Sequence, residues 1–233
     1  MDALILAAGR GTRMKGIDTP KCLLELNGIA LIDYQIKCFK QFGINQIYVV
    51  TGYNSDLIHS HLKDQVIFIQ NPDFANSNNI TSVWSAKKFL TADFICVYGD
   101  LLFNKEILQN LIQQTHDVCM VVEKNVRYET MKVKIENNHI IQVNKKIPES
   151  EADGNFIGMA KFSKNIISKL FNGISNCLTI DKNSYYTSAI ELLINNGQFV
   201  NCLFTNNLQW MDIDEPNELT EAKILFNQLE NEK

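Results

Sequence analysis

The chain has 233 residues, of which 45% are hydrophobic and 21% are charged, with only 4 prolines and 11 glycines. This length suits one large domain, and the composition excludes a disordered chain because enough apolar side chains are present to form a core. The formal charge of -4 argues against a nucleic-acid partner, since proteins that bind the phosphate backbone usually carry a basic excess.

The amino terminus lacks a basic segment ahead of an apolar run, and no uncharged apolar stretch reaches the ~20 residues that span a bilayer. We therefore expect no membrane insertion and a cytoplasmic protein. The six cysteines are scattered without metal-ligand spacing. We interpret them as small core residues.

Strand-like runs alternate with amphipathic stretches along the chain. Strands are predicted at residues 3–7, 46–50, 66–70, 94–98, 117–123, 131–135, 139–143, 158–162 and 200–205. Helices are predicted at residues 32–42, 55–62, 80–90 and 105–114. The alternation favours an α/β domain with a mixed, mostly parallel sheet and helices on both faces. Asn137 and Asn138 separate two of the strands, which indicates a β-hairpin insertion, at about 124–160, rather than a second domain.

A glycine-rich loop follows the first predicted strand, in the phrase Leu6-Ala7-Ala8-Gly9-Arg10-Gly11-Thr12-Arg13-Met14. Its two glycines let backbone N–H groups approach an anion, and Arg13 can grip phosphate oxygens. The loop is therefore interpreted as a phosphate cradle, although it matches neither the Walker A nor the Rossmann pattern. A glycine turn with solvated cations is the alternative.

The longer phrase L-A-A-G-x-G-T-R-M-x(5)-P-K resembles the signature of the nucleoside-triphosphate transferases, the pyrophosphorylase superfamily that couples an NTP to a phosphorylated sugar or alcohol. The resemblance implies that Arg13 and Lys21 act on the reacting phosphates. The nucleotide-binding residues that it implies in this loop are Leu6, Ala8, Gly9, Gly11 and Thr12. Sugar-nucleotide members carry R-P-L-T here, whereas this loop is about two residues shorter.

Residues 71–84 are rich in amides and hydroxyls and precede an amphipathic stretch. Such a segment can present donors and acceptors to a base edge, or it can serve only to cap a helix. The phrase N-P-x-[FY]-x(4)-N-x-x-S resembles the subgroup of phosphocholine and inositol-1-phosphate cytidylyltransferases. That resemblance assigns Asn78, Asn79 and Ser82 to cytosine and ribose, and it makes CTP the expected nucleotide.

Three aspartates form a candidate metal site. Asp100 follows the carboxyl end of the strand at 94–98, and open α/β sheets bind ligands at the carboxyl ends of their strands. Asp212 and Asp214 lie two positions apart, so in a strand they share a face, and adjacent like charges favour a cation. Alternatively, Asp214 belongs only to the start of a C-terminal helix at about 216–230. The superfamily resemblance implies that Asp100, Asp212 and Asp214 hold Mg²⁺.

The acceptor side is less sharply marked. The phrase D-G-x-F-I-G beginning at Asp153, with a lysine ahead of it, again resembles the cytidylyltransferase subgroup. This resemblance assigns Lys146, then Lys132, and Asp153 to the acceptor, while a solvated hairpin lysine is the alternative. Tyr185 and Tyr186 are interpreted mainly as core residues, with walls of the acceptor pocket as the alternative.

The resemblance covers residues 6 to about 229 and implies a single GT-A-like, Rossmann-like α/β/α domain over residues 1–233, with the signature loop at 6–21. It implies a Mg²⁺-dependent enzyme of EC 2.7.7 type, in which a small phosphorylated acceptor attacks the α-phosphorus of CTP or another NTP and pyrophosphate leaves. The alternatives are a sugar-1-phosphate nucleotidyltransferase using UTP, GTP or dTTP, a non-catalytic nucleotide-binding module, and a GT-A glycosyltransferase, whose D-x-D motif is missing here. A homodimer is compatible with the sequence.

Overall fold

The structure, a computed structural model, describes residues 1–14, 16, 18–127 and 130–231. Residues 15 and 17 of the predicted signature loop and residues 128–129 of the predicted insertion lie outside these ranges. The strands are β1 (Asp2–Ala7), β2 (Glu25–Leu26), β3 (Ile29–Ala30), β4 (Ile47–Thr51), β5 (Ile67–Gln70), β6 (Phe94–Tyr98), β7 (Leu101–Phe103), β8 (Val118–Glu123), β9 (Lys132–Glu136), β10 (His139–Asn144), β11 (Gly154–Phe162), β12 (Asn201–Phe204) and β13 (Trp210–Asp212). The α-helices are α1 (Leu31–Gln41), α2 (Ser55–Leu62), α3 (Asn79–Ser85), α4 (Lys105–Ile112), α5 (Ile167–Ile180), α6 (Thr187–Asn195) and α7 (Leu219–Asn231).

Within the described residues, nine strands form one sheet in the order β5-β4-β1-β6-β11-β8-β12-β10-β9. Strands β10 and β11 run opposite to the other seven of these strands, so the sheet is mixed but mostly parallel in strand direction. The predicted α/β class with a mixed sheet is therefore confirmed. Short antiparallel pairs, β2 with β3 and β7 with β13, lie beside this sheet.

Helices cover both faces of the sheet, because successive residues of a buried strand point to opposite sides. In β1, Ala3 and Ile5 pack in a cluster with α1, α4 and α7, whereas Leu4 packs in a second cluster with α3, α5 and α6. The result is the α/β/α layering that the alternation of strands and helices predicts. Among the described residues, no helix has the length and apolar character that crossing a bilayer requires.

The predicted hairpin is present as β9 and β10, with Asn137 and Asn138 at φ of 49° and 63° in the turn. This left-handed pair of central residues is what a two-residue hairpin turn requires. The hairpin is joined to the sheet, since β10 pairs with β12 and β9 pairs with β11. It therefore extends the sheet of the same domain.

Strand β11 begins at Gly154, four residues before the predicted start at Gly158. Gly158 has a φ of +93°, and the register of β11 against β8 shifts between Phe156 and Ala160. This irregularity interrupts the alternation from which the strand was predicted. Helix α3 is likewise shorter than predicted, because it ends at Ser85 and the chain continues in turns.

Gly158 should be essential for packing because a Cβ there would lie 2.5 Å from the Tyr98 ring. Gly197 also has a positive φ, +81°, but faces open space and is the matched control. We expect Gly158→Ala to lower the free energy of unfolding by about 1–3 kcal/mol more than Gly197→Ala does, because overpacking adds to the shared backbone strain. Urea denaturation of both variants measures the difference. Equal losses would contradict this packing role.

Candidate active site

A cleft of about 510 Å³ opens at the carboxyl-end edge of β1 and β6. Four parts of the chain line it: the glycine loop, the amide-rich segment before α3, the acidic segments at the ends of β6 and β13, and the residues around the β9–β10 hairpin and the start of β11. The predicted site residues that line it are Leu6, Ala8, Gly9, Arg13, Asn78, Asn79, Ser82, Asp100, Asp212 and Asp214. The structure thus brings the three predicted metal residues and most of the predicted nucleotide residues to one cleft, with Gly11 and Thr12 outside its lining.

The pairing of β7 with β13 brings the three aspartates together. Leu101 is the register partner of Asp212, and the Ile213 N–H donates to the Asp100 carbonyl at 3.0 Å. Ile213 is fully buried between Asp212 and Asp214, so the two carboxylates lie on the cleft side of the ribbon. Two segments that are remote in sequence therefore present their carboxylates to the same space.

Basic side chains neutralise this acidic cluster. Lys21 Nζ lies 3.3 Å from Asp100 Oδ2 and also donates to Asp214 Oδ1. Arg13 Nη1 lies 2.9 Å from Asp214 Oδ2, and Arg127 Nη1 lies 3.6 Å from Asp212 Oδ1. Lys21 does not line the cleft itself but contacts two carboxylates that do.

Burial and neighbouring charges shift the pKa values of the ionisable groups in this cluster. Burial, together with the nearby Asp214 and Asp212 charges, raises the pKa of Asp100 despite the Lys21 ammonium. Burial also raises the pKa of Asp212, with repulsion from Asp214 adding to the effect. Burial lowers the pKa of Lys21, but the attraction of Asp100 and Asp214 outweighs it, so the net direction is upward. The lysine therefore stays cationic at neutral pH.

The donor chemistry of the cluster fits Mg²⁺, which takes carboxylate oxygens as ligands. Within the described ranges, no three Asp, Glu, His or Cys side chains are grouped closely enough to hold an ion. The predicted set of Asp100, Asp212 and Asp214 is therefore not grouped as a three-ligand site, and an ion held here would need further ligands such as substrate phosphates. Asp100 and Asp214, which share the Lys21 ammonium, are the best placed pair.

The glycine loop packs against this cluster. Gly11 has a φ of +61°, and a Cβ there would lie 3.1 Å from Lys21 Cγ, so the glycine permits close packing on the lysine stem. Gly9 lines the cleft, whereas Gly11 and Thr12 are outside its lining. The loop therefore packs on the stem of Lys21, the residue that contacts Asp100 and Asp214.

The amide-rich segment is held by its own hydrogen bonds. Asn79 Nδ2 donates to Tyr98 Oη at 3.0 Å, and Asn79 Oδ1 accepts from the Tyr186 N–H at 2.9 Å. Asn78 Oδ1 caps α3 by accepting from the Asn79 N–H at 2.8 Å. Ser82 Oγ accepts from Asn71 Nδ2 at 3.1 Å. Because an amide has two N–H groups and two acceptor lone pairs, these two contacts leave one N–H group and one lone pair of Asn79 unused.

The predicted acceptor residues are placed differently from the expectation. Lys146 is exposed and outside the lining of the cleft, whereas its neighbour Lys145 lines it. Lys132 is buried, and its Nζ donates to the Lys145 carbonyl at 3.4 Å. Asp153 Oδ2 accepts from the Ile135 N–H at 2.7 Å, which is a structural contact within the hairpin region. Of these four residues, Lys145 alone lines the cleft.

Two pairs of a cation with an aromatic ring line the cleft here, and of their four members only Tyr185 was considered for this place from the sequence. Lys145 Nζ lies 4.7 Å from the centre of the Tyr185 ring, and Arg127 lies 4.4 Å from that of Trp210. Both rings line the cleft, so Tyr185 does more than pack in the core, while Tyr186 is fully buried as expected. Burial raises the pKa of Tyr185, but hydrogen bonds with Lys145 and Asn78 and the nearby positive charges of Lys145 and Arg13 together outweigh it, and the net shift is downward.

Glu123 is hydrogen-bonded to Trp210, one of the residues that line the cleft. Its Oε2 accepts from Thr205 Oγ1 at 2.7 Å and from Trp210 Nε1 at 3.3 Å, and its Oε1 accepts from the Asn125 N–H at 3.0 Å. Burial raises the pKa of Glu123, but these hydrogen bonds outweigh it and hold the pKa below the ordinary value of 4.5. The ionised form is therefore the one that the fold stabilises.

A lowered pKa predicts a stability contribution that is present above the unfolded-state pKa and is lost as the pH falls through the folded-state pKa. We expect Glu123→Gln to lower the free energy of unfolding at pH 7, and the difference from the unmodified protein to shrink as the pH falls below about 4.5. Urea denaturation between pH 7 and pH 3.5 measures it, with the exposed Glu149→Gln as control. A difference that stays constant with pH would contradict the role of the ionised carboxylate.

Comparison with known proteins places the chain in a family. The model of the MobA-like NTP transferase domain matches residues 3–164. A CTP:phosphoglutamine cytidylyltransferase of Campylobacter jejuni is 30% identical over 251 aligned residues, which cover 94% of this chain and 98% of that protein. A choline-phosphate cytidylyltransferase of Streptococcus pneumoniae is 34% identical over 120 residues, covering 50% of this chain and 52% of the relative.

The fold has solved counterparts. The structure of the inositol-1-phosphate CTP transferase from T. maritima superposes with a TM-score of 0.83 at 20% identity, covering 99% of this chain and 96% of that one. This similarity supports the GT-A-like single-domain architecture. The family match and the relative that aligns over its full length identify the family of this chain, not only its fold. Both agree with a cleft that is lined by a glycine-rich loop and aspartates. The chain belongs to the MobA-like NTP transferase family and is an enzyme of the nucleotidyltransferase class, EC 2.7.7.

Proposed function

We propose that this chain is a Mg²⁺-dependent cytidylyltransferase that joins the CMP part of CTP to a small phosphorylated acceptor and releases pyrophosphate. The observation that carries the proposal is the shared contact of Lys21 with Asp100 and Asp214, beside the glycine loop and within one cleft. Cationic groups and a candidate metal site converge where a triphosphate would lie. Transfer of a nucleotidyl group requires such neutralisation of the phosphate charges by cationic side chains and a metal ion.

The choice of CTP rests on the amide-rich segment and on the relatives. Cytosine differs from uracil in presenting an amino donor in place of a carbonyl acceptor. Asn79 keeps an acceptor lone pair and an N–H group that can face such an edge. The relatives from Campylobacter jejuni and Streptococcus pneumoniae are both cytidylyltransferases by name. These two lines of support agree on the base.

In the reaction, an oxygen of the acceptor phosphate forms a bond to the α-phosphorus of CTP while the bond from that phosphorus to the bridging oxygen of pyrophosphate breaks. A phosphate monoester is anionic at neutral pH, so no side chain has to remove a proton from it. The protein instead has to hold the two anions in line and neutralise their charge. Arg13 and Lys21 supply positive charge beside the departing pyrophosphate.

Asp100 and Asp214, with Asp212 beside them, would hold the Mg²⁺ ion. When bound, Mg²⁺ neutralises phosphate oxygens and polarises the α-phosphorus toward attack. Lys21 keeps the two carboxylates close to each other, and its raised pKa keeps it charged throughout. Because the carboxylates attract both the lysine and an ion, their spacing decides how well a nucleotide–metal complex is bound.

The acceptor end carries two cations, Lys145 and Arg127, each resting on an aromatic ring. Cation–π contact keeps these side chains extended over the cleft wall, so that their N–H groups can reach an anion. We therefore assign the acceptor phosphate to Lys145, with Arg127 as its partner. The relatives that are named for phosphoglutamine, choline phosphate and 2-aminoethylphosphonate define a panel of acceptors to test.

Replacing either aspartate should remove most of the activity. We expect Asp100→Asn or Asp214→Asn to lower turnover at least about a hundredfold, a loss of roughly 2.7 kcal/mol of transition-state stabilisation. Thermal unfolding should change little, because both side chains remain similar in size. Pyrophosphate release in the presence of Mg²⁺ measures the effect, and unmodified enzyme in EDTA is the parallel control. Activity that persists in EDTA would exclude a metal requirement.

The neighbouring lysines provide a matched pair for the acceptor site. Lys145→Gln should raise the KM for the phosphorylated acceptor about tenfold and leave the KM for CTP nearly unchanged, because a charge-assisted hydrogen bond is worth about 1.5–3 kcal/mol. Lys146→Gln removes the same charge one residue away and should change either constant by less than about twofold. Steady-state kinetics with the acceptor panel measures both. The reverse ranking would return the acceptor phosphate to Lys146.

Base choice tests the cytidylyl assignment. A site that accepts from the cytosine amino group leaves a buried acceptor unpaired when UTP enters, at about 1–3 kcal/mol, so CTP should exceed UTP by at least about tenfold in kcat/KM. Asn79→Ala should reduce the ratio of the two kcat/KM values, whereas a general loss of packing would lower both equally. Equal use of CTP and UTP by the unmodified enzyme would favour a sugar-1-phosphate nucleotidyltransferase instead.

A further inference from the structure

The segment that carries Asp100 makes a sharp change of direction between two strands. Strand β6 ends at Tyr98, Gly99 and Asp100 form the turn, and β7 begins at Leu101. Gly99 packs tightly here, because a Cβ would lie 2.9 Å from the Leu6 carbonyl oxygen. The direction of the Asp100 side chain therefore depends on what holds the carbonyl groups on either side of it.

Gln35 of α1 holds both of these carbonyls. Its Nε2 donates to the Tyr98 carbonyl at 2.9 Å and to the Leu101 carbonyl at 2.7 Å. The side chain is fully buried, with 0% of its surface exposed, on a helix whose other inward positions are largely apolar. A fully buried glutamine is unusual, since glutamine side chains are mostly exposed to solvent.

The oxygen of the Gln35 side-chain amide shows which orientation of the amide the fold requires. Its Oε1 is buried and has no hydrogen-bond partner among the described residues. Turning the amide over would set this oxygen against two carbonyl oxygens, so only the observed orientation is tolerable. The position thus retains an unsatisfied acceptor in order to keep both donors on the turn. An apolar residue of the same size would avoid that unsatisfied group but would release the two carbonyls.

The constraint passes from the turn to the other carboxylates. The Asp100 carbonyl accepts from the Ile213 N–H, and Leu101 is the register partner of Asp212. A shift of the turn would therefore move the ribbon that carries Asp212 and Asp214 together with Asp100. Tyr98 extends the link to the amide-rich segment, because its hydroxyl contacts Asn79.

We propose that Gln35 is a positioning residue for the carboxylate site: it clamps both sides of the Tyr98–Leu101 turn and so sets the spacing of Asp100 and Asp214 for a divalent cation. This inference rests on the proposed function for the identity of the ion. It adds a residue that touches neither nucleotide nor metal, and it explains why a glutamine is buried beneath the acidic cluster.

The test measures cation binding directly. Gln35→Met removes both N–H donors and keeps a side chain of similar length. We expect the dissociation constant for Mn²⁺, titrated by electron paramagnetic resonance in the presence of α,β-methylene-CTP, to rise at least about tenfold. The Mg²⁺ concentration for half-maximal pyrophosphate release should rise in parallel. Gln35→His, which keeps one N–H donor, should give a smaller rise in the Mn²⁺ dissociation constant. If Gln35→Met does not fold, the Mn²⁺ affinity of Gln35→His tests the positioning role in its place.

Tyr34→Phe is the matched control, because Tyr34 is the preceding residue of α1 and its hydroxyl donates at 2.8 Å to the Phe103 carbonyl, beyond the turn. It should change Mn²⁺ affinity by less than twofold. A folded glutamine variant with unchanged Mn²⁺ affinity, or an equal loss in Tyr34→Phe, would overturn the positioning role while leaving the proposed function intact. Failure of the unmodified protein to bind Mn²⁺ with the nucleotide would overturn both.

Discussion

One lysine ammonium joins segments of the chain that are far apart in sequence. Lys21 contacts Asp100, 79 residues away, and Asp214, 193 residues away. Because neighbouring carboxylates repel, the cluster requires cations among its members, and Lys21 and Arg13 supply them. A triphosphate with its metal ion would interact with these same charges. The contacts that close the fold at this edge are therefore also the contacts that the proposed chemistry uses.

Much of the fold could be predicted from local patterns, because buried strands and amphipathic helices have distinct periods. The bounds of β6 (Phe94–Tyr98) and α2 (Ser55–Leu62) agree with the prediction. The prediction was wrong where a single residue interrupts the period, as Gly158 does within β11. It also missed β7 and β13, since strands of three residues form only through their pairing with each other. Such pairing is a tertiary property that no local pattern records.

The site shows the same division between local and tertiary information. The glycine loop and the aspartates have a characteristic spacing, so the sequence marked them, and the structure brings them together in one cleft. The sequence prediction chose Lys146 for the acceptor, whereas Lys145 lines the cleft, because the turn after β10 decides which of the two adjacent lysines faces it. In that turn Asn144 Oδ1 accepts from the Lys146 N–H, and the Lys145 side chain lies over Tyr185. Gln35 carried no sequence signal at all, since a glutamine on an amphipathic helix is typical of a solvent-facing position.

Transfer of the nucleotidyl group, rather than of a terminal phosphate, is the central claim about this cleft. CTP labelled with ³²P at either the α or the γ position, incubated with Mg²⁺ and the panel of phosphorylated acceptors, distinguishes the two reactions directly. Nucleotidyl transfer predicts that the α label appears in an acceptor-linked product and the γ label appears only in pyrophosphate. Appearance of the γ label on an acceptor, or binding of CTP without transfer to any acceptor of the panel, would contradict it.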